Sequence, residues 1–196
     1  MKNSLKTISQ QLIQQFNKYQ SVNLKNFGWE QHKWISDTFS WAHHEYYVTD
    51  RVEIVHLVVM PRINSRAPIF GFDVINISGV LTGLFADLTP VDHRTFDLPQ
   101  MGTPRPRPEW AEFFSKNFVC VKPHSLQDVE KGIGMLESYL LMLPDIDNNN
   151  YHTQQQNYIE GQRKNTKTLK MLEAHVGRDV AEEYFYNYLF PDIEAE

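Results

Sequence analysis

Two titratable side chains, His56 and Asp73, lie inside apolar runs of one stretch, VEIVHLVVMPRINSRAPIFGFDVINISGVLTGLFADLTP, residues 52–90. In an extended chain alternate residues share a face. His56 therefore keeps company with Val52, Ile54, Val58 and Met60, and Asp73 with Ile69, Gly71 and Ile75. An unpaired carboxyl is costly to bury, so a chain that keeps one there has either partnered it or uses its shifted pKa in chemistry. A carboxylic acid among apolar groups can stay protonated near neutrality and act as a general acid, and an imidazole on a neighbouring strand can share its proton. Taken alone, the residues favour a satisfied core His–Asp pair for His56, and it is the spacing from His56 to FGFD, ending at Asp73, that turns the reading toward chemistry. Upstream, His43, His44 and Glu45 are consecutive. Adjacent strand residues face opposite ways, which argues against a metal site there, and a solvated strand end accounts for at least one of them.

The elements that must position these groups follow from pattern. The stretch itself reads as three strands, broken by residues 61–68 and by Ser78-Gly79. Residues 34–38 and 40–48 alternate as two more, with Thr49-Asp50 as the turn into Val52. Five strands joined too tightly for crossover helices make an antiparallel sheet, to which residues 118–121 add a sixth strand. Leu5, Ile8, Leu12, Phe16 and Tyr19 mark an amphipathic helix over residues 4–20. Residues 97–108, with four prolines, form a loop, and Pro108 starts a short helix carrying Trp110, Phe113 and Phe114. Ser125 and Asp128 form a capping-box variant before the stripe Val129, Ile133, Leu136, Leu140 and Leu143, stopped at Pro144.

A long helix is expected over residues 151–176, with Tyr151, Gln155, Tyr158, Gln162, Asn165, Leu169, Leu172 and Val176 facing inward. Its first half carries amides and phenols where a packed helix carries Leu. Either that half lines a cavity holding something polar and aromatic, or it is half covered and wet. Gly177 ends this helix, and a final one over residues 178–189 turns Ala181, Tyr184, Phe185, Tyr188 and Leu189 inward. One helix, a run of strands and then helices give an α+β fold with helices on both faces of the sheet.

Composition narrows the class. The 196 residues are 41% hydrophobic, enough for one domain over 1–196 with a substantial core. A net charge of −5 argues against a nucleic-acid partner. No apolar run approaches the roughly 20 residues of a membrane helix, and MKNSLKTISQQLIQQF has no secretory apolar centre, so a cytoplasmic protein is expected. The single cysteine, Cys120, flanked by Val119 and Val121, reads as a small core residue. An ordinary hydrolase is unsupported: there is no nucleophile elbow, phosphate loop or metal spacing.

At this point the residues carry a resemblance. His56 followed by LVVMP, APIFGFD ending at Asp73, GLFADLTP ending at Pro90, KNTK around Asn165 and YLF near the end together resemble the ferredoxin-dependent bilin reductases from about residue 40 onward. The resemblance implies a three-layer α/β/α sandwich with a central antiparallel β-sheet. It also implies reduction of biliverdin IXα by single electrons from a [2Fe–2S] ferredoxin, with no cofactor bound by the enzyme, in a cytoplasmic monomer. The bilin would lie between the sheet and the C-terminal helices, with Asp73 as central proton donor, His56 as its partner, and Asn165, Thr166, Tyr158 and Gln162 in contact. Lys122 and Lys167 would hold the propionates, and Asp87 would be structural. Arg105, Arg107, Lys116 and Lys164 would supply a local patch for an acidic ferredoxin.

Two departures bear on the product. In family members that make phycocyanobilin, the glutamate of a strand H-x-E protonates the D-ring vinyl group. Here Glu45 lies one residue closer to His56 than that pattern, so without a bulge it is expected to point away, with His44 in its place. Thr166 stands where many members carry an aspartate, which serves A-ring reduction in phycoerythrobilin makers. The expectation leans to phycoerythrobilin, with a phycocyanobilin-forming reductase or a non-catalytic bilin-binding carrier as alternatives.

Overall fold

The computed structural model describes residues 5–193, so the expected helix start at residue 4 lies outside the described residues. Among the described residues, eight strands form one sheet in which every neighbouring pair is antiparallel. In chain order they are β1 (Gln20–Val22), β2 (Glu30–Ile35), β3 (Phe39–Val48), β4 (Val52–Pro61), β5 (Ile69–Ile77), β6 (Val80–Thr89), β7 (Thr103–Pro104) and β8 (Val119–Lys122). Only the last two exchange places, so the spatial order ends β6, β8, β7. The long central strands form where β-branched and aromatic residues concentrate. The β5–β6 hairpin turns on Ser78 and Gly79, both at positive φ (53° and 84°), the backbone that a tight two-residue turn requires.

Helix α1 (Lys6–Phe16) and helix α2 (Leu126–Leu140) cover one face of the sheet, their stripes meeting Leu57, Val59, Phe70, Phe72 and Val74. The other face is covered by α3 (His152–Arg163), α4 (Thr166–Val176), α5 (Arg178–Tyr184) and a π-helical turn, Phe185–Leu189, whose core includes Val58, Met60, Ile69, Ile159, Leu172 and Phe185. The result is the expected α+β sandwich of three layers. No described helix is long and apolar enough to cross a membrane.

Gly132 sets the spacing between α2 and the sheet: a Cβ there would come within 2.1 Å of the Phe72 ring. Gly132→Ala must push helix and strand apart. We expect a loss of about 1–3 kcal/mol, the usual cost of overpacking, read as a lower denaturation midpoint at an unchanged slope.

The chain departs from pattern in several places. The helix expected over residues 151–176 is broken after Arg163, because the Asn165 side chain accepts from the Lys167 N–H at 3.3 Å and starts α4 afresh. Ser125 makes no side-chain cap; the Asp128 carboxylate instead accepts from the His124 N–H at 2.9 Å. The helix at Pro108 is one 3₁₀ turn, Glu109–Ala111. The last helix widens at Phe185 into its π turn.

Candidate active site

The β3–β4 hairpin sets the geometry of the site. Val48 pairs with Glu53, and the residues between them close on Thr49, whose N–H donates to the Val52 carbonyl at 2.8 Å and whose hydroxyl oxygen accepts from the Val52 N–H at 3.0 Å. Counting back from that turn, Glu45 pairs with His56, His56 with Asp73, and Asp73 with Phe85. Glu45, His56 and Asp73 thus form one row across three strands, on the face under the C-terminal helices. The expectation that Glu45 points away is corrected: the tight turn fixes the register, and register decides the face. His44 lies on the opposite face, buried and held down to about 3 by burial first and His32 second, so it is neutral there.

His56 Nδ1 and Asp73 Oδ1 are 2.7 Å apart. Burial alone would lower the His56 pKa, yet the charge and hydrogen bond of Asp73 raise it above 6.5. Because the folded-state value lies above the unfolded one, the stabilisation is complete below about pH 6.5 and is lost as pH rises through the raised value. A nuclear magnetic resonance titration should therefore find His56 above 6.5, and Asp73→Asn should bring it down. His56 Nε2 is buried with no hydrogen-bond partner among the described residues. Asp73 is the more open of the two, its side chain 35% exposed against 11% for His56.

Glu45 is buried, and burial raises its pKa against the opposing pull of His56, Tyr184 and Trp29. Its Oε1 accepts from Trp29 Nε1–H at 2.8 Å and from the Tyr184 hydroxyl. Burial thus drives Glu45 in the direction of the neutral acid.

Above the row lies a cleft of about 350 Å³. Its apolar walls come from Ile54, Ile75 and Phe85 of the sheet, Trp110 and Phe114 of the loop before β8, and Met171, Leu172, Leu189 and Phe190. Gln162, Asn165 and Lys167 add polar groups at the α3–α4 break. Asp87, buried, accepts from the Ser115 N–H at 2.9 Å and from the hydroxyls of Ser115 and Thr89, which ties down the segment bearing Trp110 and Phe114.

Not every expected residue reaches the cleft. Lys122 is exposed on β8 and Thr166 is exposed at the start of α4; neither lines it. Tyr158 stands behind Gln162, its hydroxyl accepting from Gln162 Nε2–H at 2.8 Å. The polar half of the expected long helix is buried rather than wet, but Gln155 is spent on the carbonyls of Pro61 and Arg62 at 3.1 and 3.2 Å. Arg107 is exposed and donates to the carbonyls of Ser115 and Phe114 at 2.8 Å each and to that of Ala111, neutral acceptors that hold the side chain and leave its charge in place. Sequence reasoning missed Trp29 and the hydroxyl role of Tyr184. The available signal was that indole N–H and phenol O–H groups need partners when buried.

The chain is similar to known proteins in sequence and in fold. The family model described as ferredoxin-dependent bilin reductase matches residues 2–191. A phycocyanobilin:ferredoxin oxidoreductase of Trichodesmium erythraeum is 27% identical over 162 residues, covering 71% of this chain and 66% of that protein. One from Prochlorococcus marinus is 26% identical over 161 residues, covering 71% and 67%. The chain thus spans about two thirds of the length of these curated relatives. The solved structure of PcyX superposes with a TM-score of 0.71 at 20% identity over 97% of this chain and 99% of that one. Phytochromobilin synthase from tomato, in complex with biliverdin, gives 0.64 at 15% identity over 94% and 82%. At such identities these two share the fold. With a family match over nearly its whole length, the chain belongs to the ferredoxin-dependent bilin reductases.

Proposed function

We propose that this chain reduces biliverdin IXα to phycocyanobilin with single electrons from a [2Fe–2S] ferredoxin, binding no cofactor of its own. The observation that carries the reading is the row Glu45, His56 and Asp73 on the floor of an otherwise apolar cleft. Ferredoxin delivers electrons without protons, so each reduction of a conjugated bilin needs a proton donor within reach. Apolar walls keep water and oxygen from the radical between electrons. Asp73, the open member of its pair, hands the tetrapyrrole the proton it shares with His56. Glu45, held toward its neutral form, protonates the D-ring vinyl group. Lys167 and Asn165, both in the lining of the cleft, hold the propionates.

The lean to phycoerythrobilin depended on Glu45 facing away. With Glu45 in the row, phycocyanobilin is the better-supported product, and the names of the curated relatives point the same way. Thr166 lies outside the lining, so the proton that an aspartate there would give comes instead from the His56–Asp73 pair.

The test is anaerobic incubation with biliverdin IXα, ferredoxin and a reducing system, with chromatographic identification of the product. Phycocyanobilin is expected. Phycoerythrobilin would remove Glu45 from the chemistry, and a binding shift that reductant leaves unchanged would make the protein a carrier. Arg105, Arg107, Lys116 and Lys164, all exposed, are the docking charges in this reading. The rate should therefore fall as ionic strength rises and the Debye length shrinks; a salt-independent rate would contradict electrostatic docking.

A further inference from the structure

We propose that Tyr184 and Trp29 are positioning residues that hold the acidic proton of Glu45 on Oε2 and that stabilise the carboxylate left when this proton is given away. The proposal rests on the reading of the cleft as a bilin reductase site. Both residues donate to one oxygen, Oε1. An indole N–H can only donate, so Oε1 must accept. Besides Glu45, the Tyr184 hydroxyl meets the Trp29 N–H, which can only donate, and His43 Nε2 at 3.4 Å, a much longer contact than the one to Glu45. When Glu45 carries its proton, the oxygen that already receives two donors is the carbonyl oxygen of the acid, and the hydroxyl is then on Oε2.

The ring of Tyr184 has little freedom to relinquish this contact. It is fully buried at the end of α5, with the rings of Phe27 and Trp29 at 4.8 and 4.9 Å between centroids. The chain widens into its π turn at the next residue, a local irregularity of a kind frequent at functional sites.

During reduction, one electron from the reduced iron–sulfur protein enters the conjugated substrate. The Oε2–H bond then breaks and a C–H bond forms at the vinyl group. The negative charge remains on Glu45, where the O–H of Tyr184 and the N–H of Trp29 already point at it without rearrangement, and hydrogen bonds to the charged form strengthen. Both donors favour the carboxylate, so they make Glu45 a better acid than its burial alone would allow.

The experiment is infrared spectroscopy of the resting protein together with product analysis, in Tyr184→Phe and Trp29→Phe. The carboxylic C=O band of Glu45 is identified by its loss in Glu45→Gln. Each variant removes one donor from the carbonyl oxygen and should shift that band to higher wavenumber. Vinyl reduction should slow roughly tenfold or more, as for one hydrogen bond to a group that becomes charged, while reduction elsewhere on the bilin continues. A fold-supporting role alone would move neither the band nor the ratio of vinyl-reduced to vinyl-retaining product. An unmoved band and an unchanged product ratio overturn the proposal. If Tyr184→Phe fails to fold, Trp29→Phe decides, because Trp29 is partly exposed. A wild type that binds biliverdin without reducing it fails the reductase reading, and the band shift then decides the clamp alone.

Discussion

Asp73→Asn is expected to bind biliverdin with near wild-type affinity and to lose its reduction by about 10²- to 10⁴-fold, the share a positioned general acid normally contributes. The asparagine keeps the shape and still offers His56 an acceptor 2.7 Å from its ring, so the sheet has no reason to rearrange. What it removes is the carboxyl and its charge. The His56–Asp73 pair then holds no transferable proton on the cleft side, and the His56 pKa falls because the group that raised it is gone. Electron entry does not need that proton, so the variant should stall after one electron. A bound radical should accumulate and be visible by electron paramagnetic resonance and in the visible spectrum. Full turnover would remove Asp73 from the chemistry.

Glu45→Gln should change what is made more than how much is bound. The glutamine carbonyl can still accept from Trp29 and Tyr184, while its amide group stands where the acid proton had been. An amide has no proton to give at neutral pH. Reduction of the D-ring vinyl group should therefore fall by about 10²- to 10⁴-fold, while Asp73 and His56 continue to serve the rest of the tetrapyrrole. Mass spectrometry checks this: the variant's product should keep its vinyl group and be lighter by two hydrogens than the wild-type product. An unchanged product would place the vinyl proton donor elsewhere.

The two variants separate because two different environments act on the carboxyls of one row. Asp73 has a basic partner at hydrogen-bond distance and a third of its side chain open. Glu45 is enclosed, with its strongest contacts to neutral donors, and burial keeps it toward the acid form. Glu45 and Asp73 are separated by two strand spacings, about 10 Å, so one extended substrate can meet both without moving.

Much of this was legible in the chain, for reasons that differ by residue. The strands carrying His56 and Asp73 announce themselves because a sheet buried on both faces needs runs such as VEIVHLVV, and two adjacent hairpins bring their mid-points together. The face of Glu45 was not legible from its distance to His56. It depends on how the hairpin at Thr49 closes, and one residue of turn length inverts every side chain of the strand. The break at Asn165 escaped periodicity because apolar spacing continues through it, and a side-chain cap leaves no mark on an apolar stripe. Strands β1 and β7, of three and two residues, are too short to alternate visibly. The clamp on Glu45 joins Trp29 to Tyr184, elements that meet only after the sheet and its last helix have packed.

The most direct test is a crystal structure of the protein with biliverdin IXα bound, solved without reductant. The tetrapyrrole should lie between the sheet and α4, with the D-ring vinyl group against Glu45 Oε2, the ring nitrogens over the His56–Asp73 pair and a propionate at Lys167. A bilin bound in the cleft with its D-ring away from Glu45, or one bound elsewhere on the protein, would contradict the assignment of the row as the proton source.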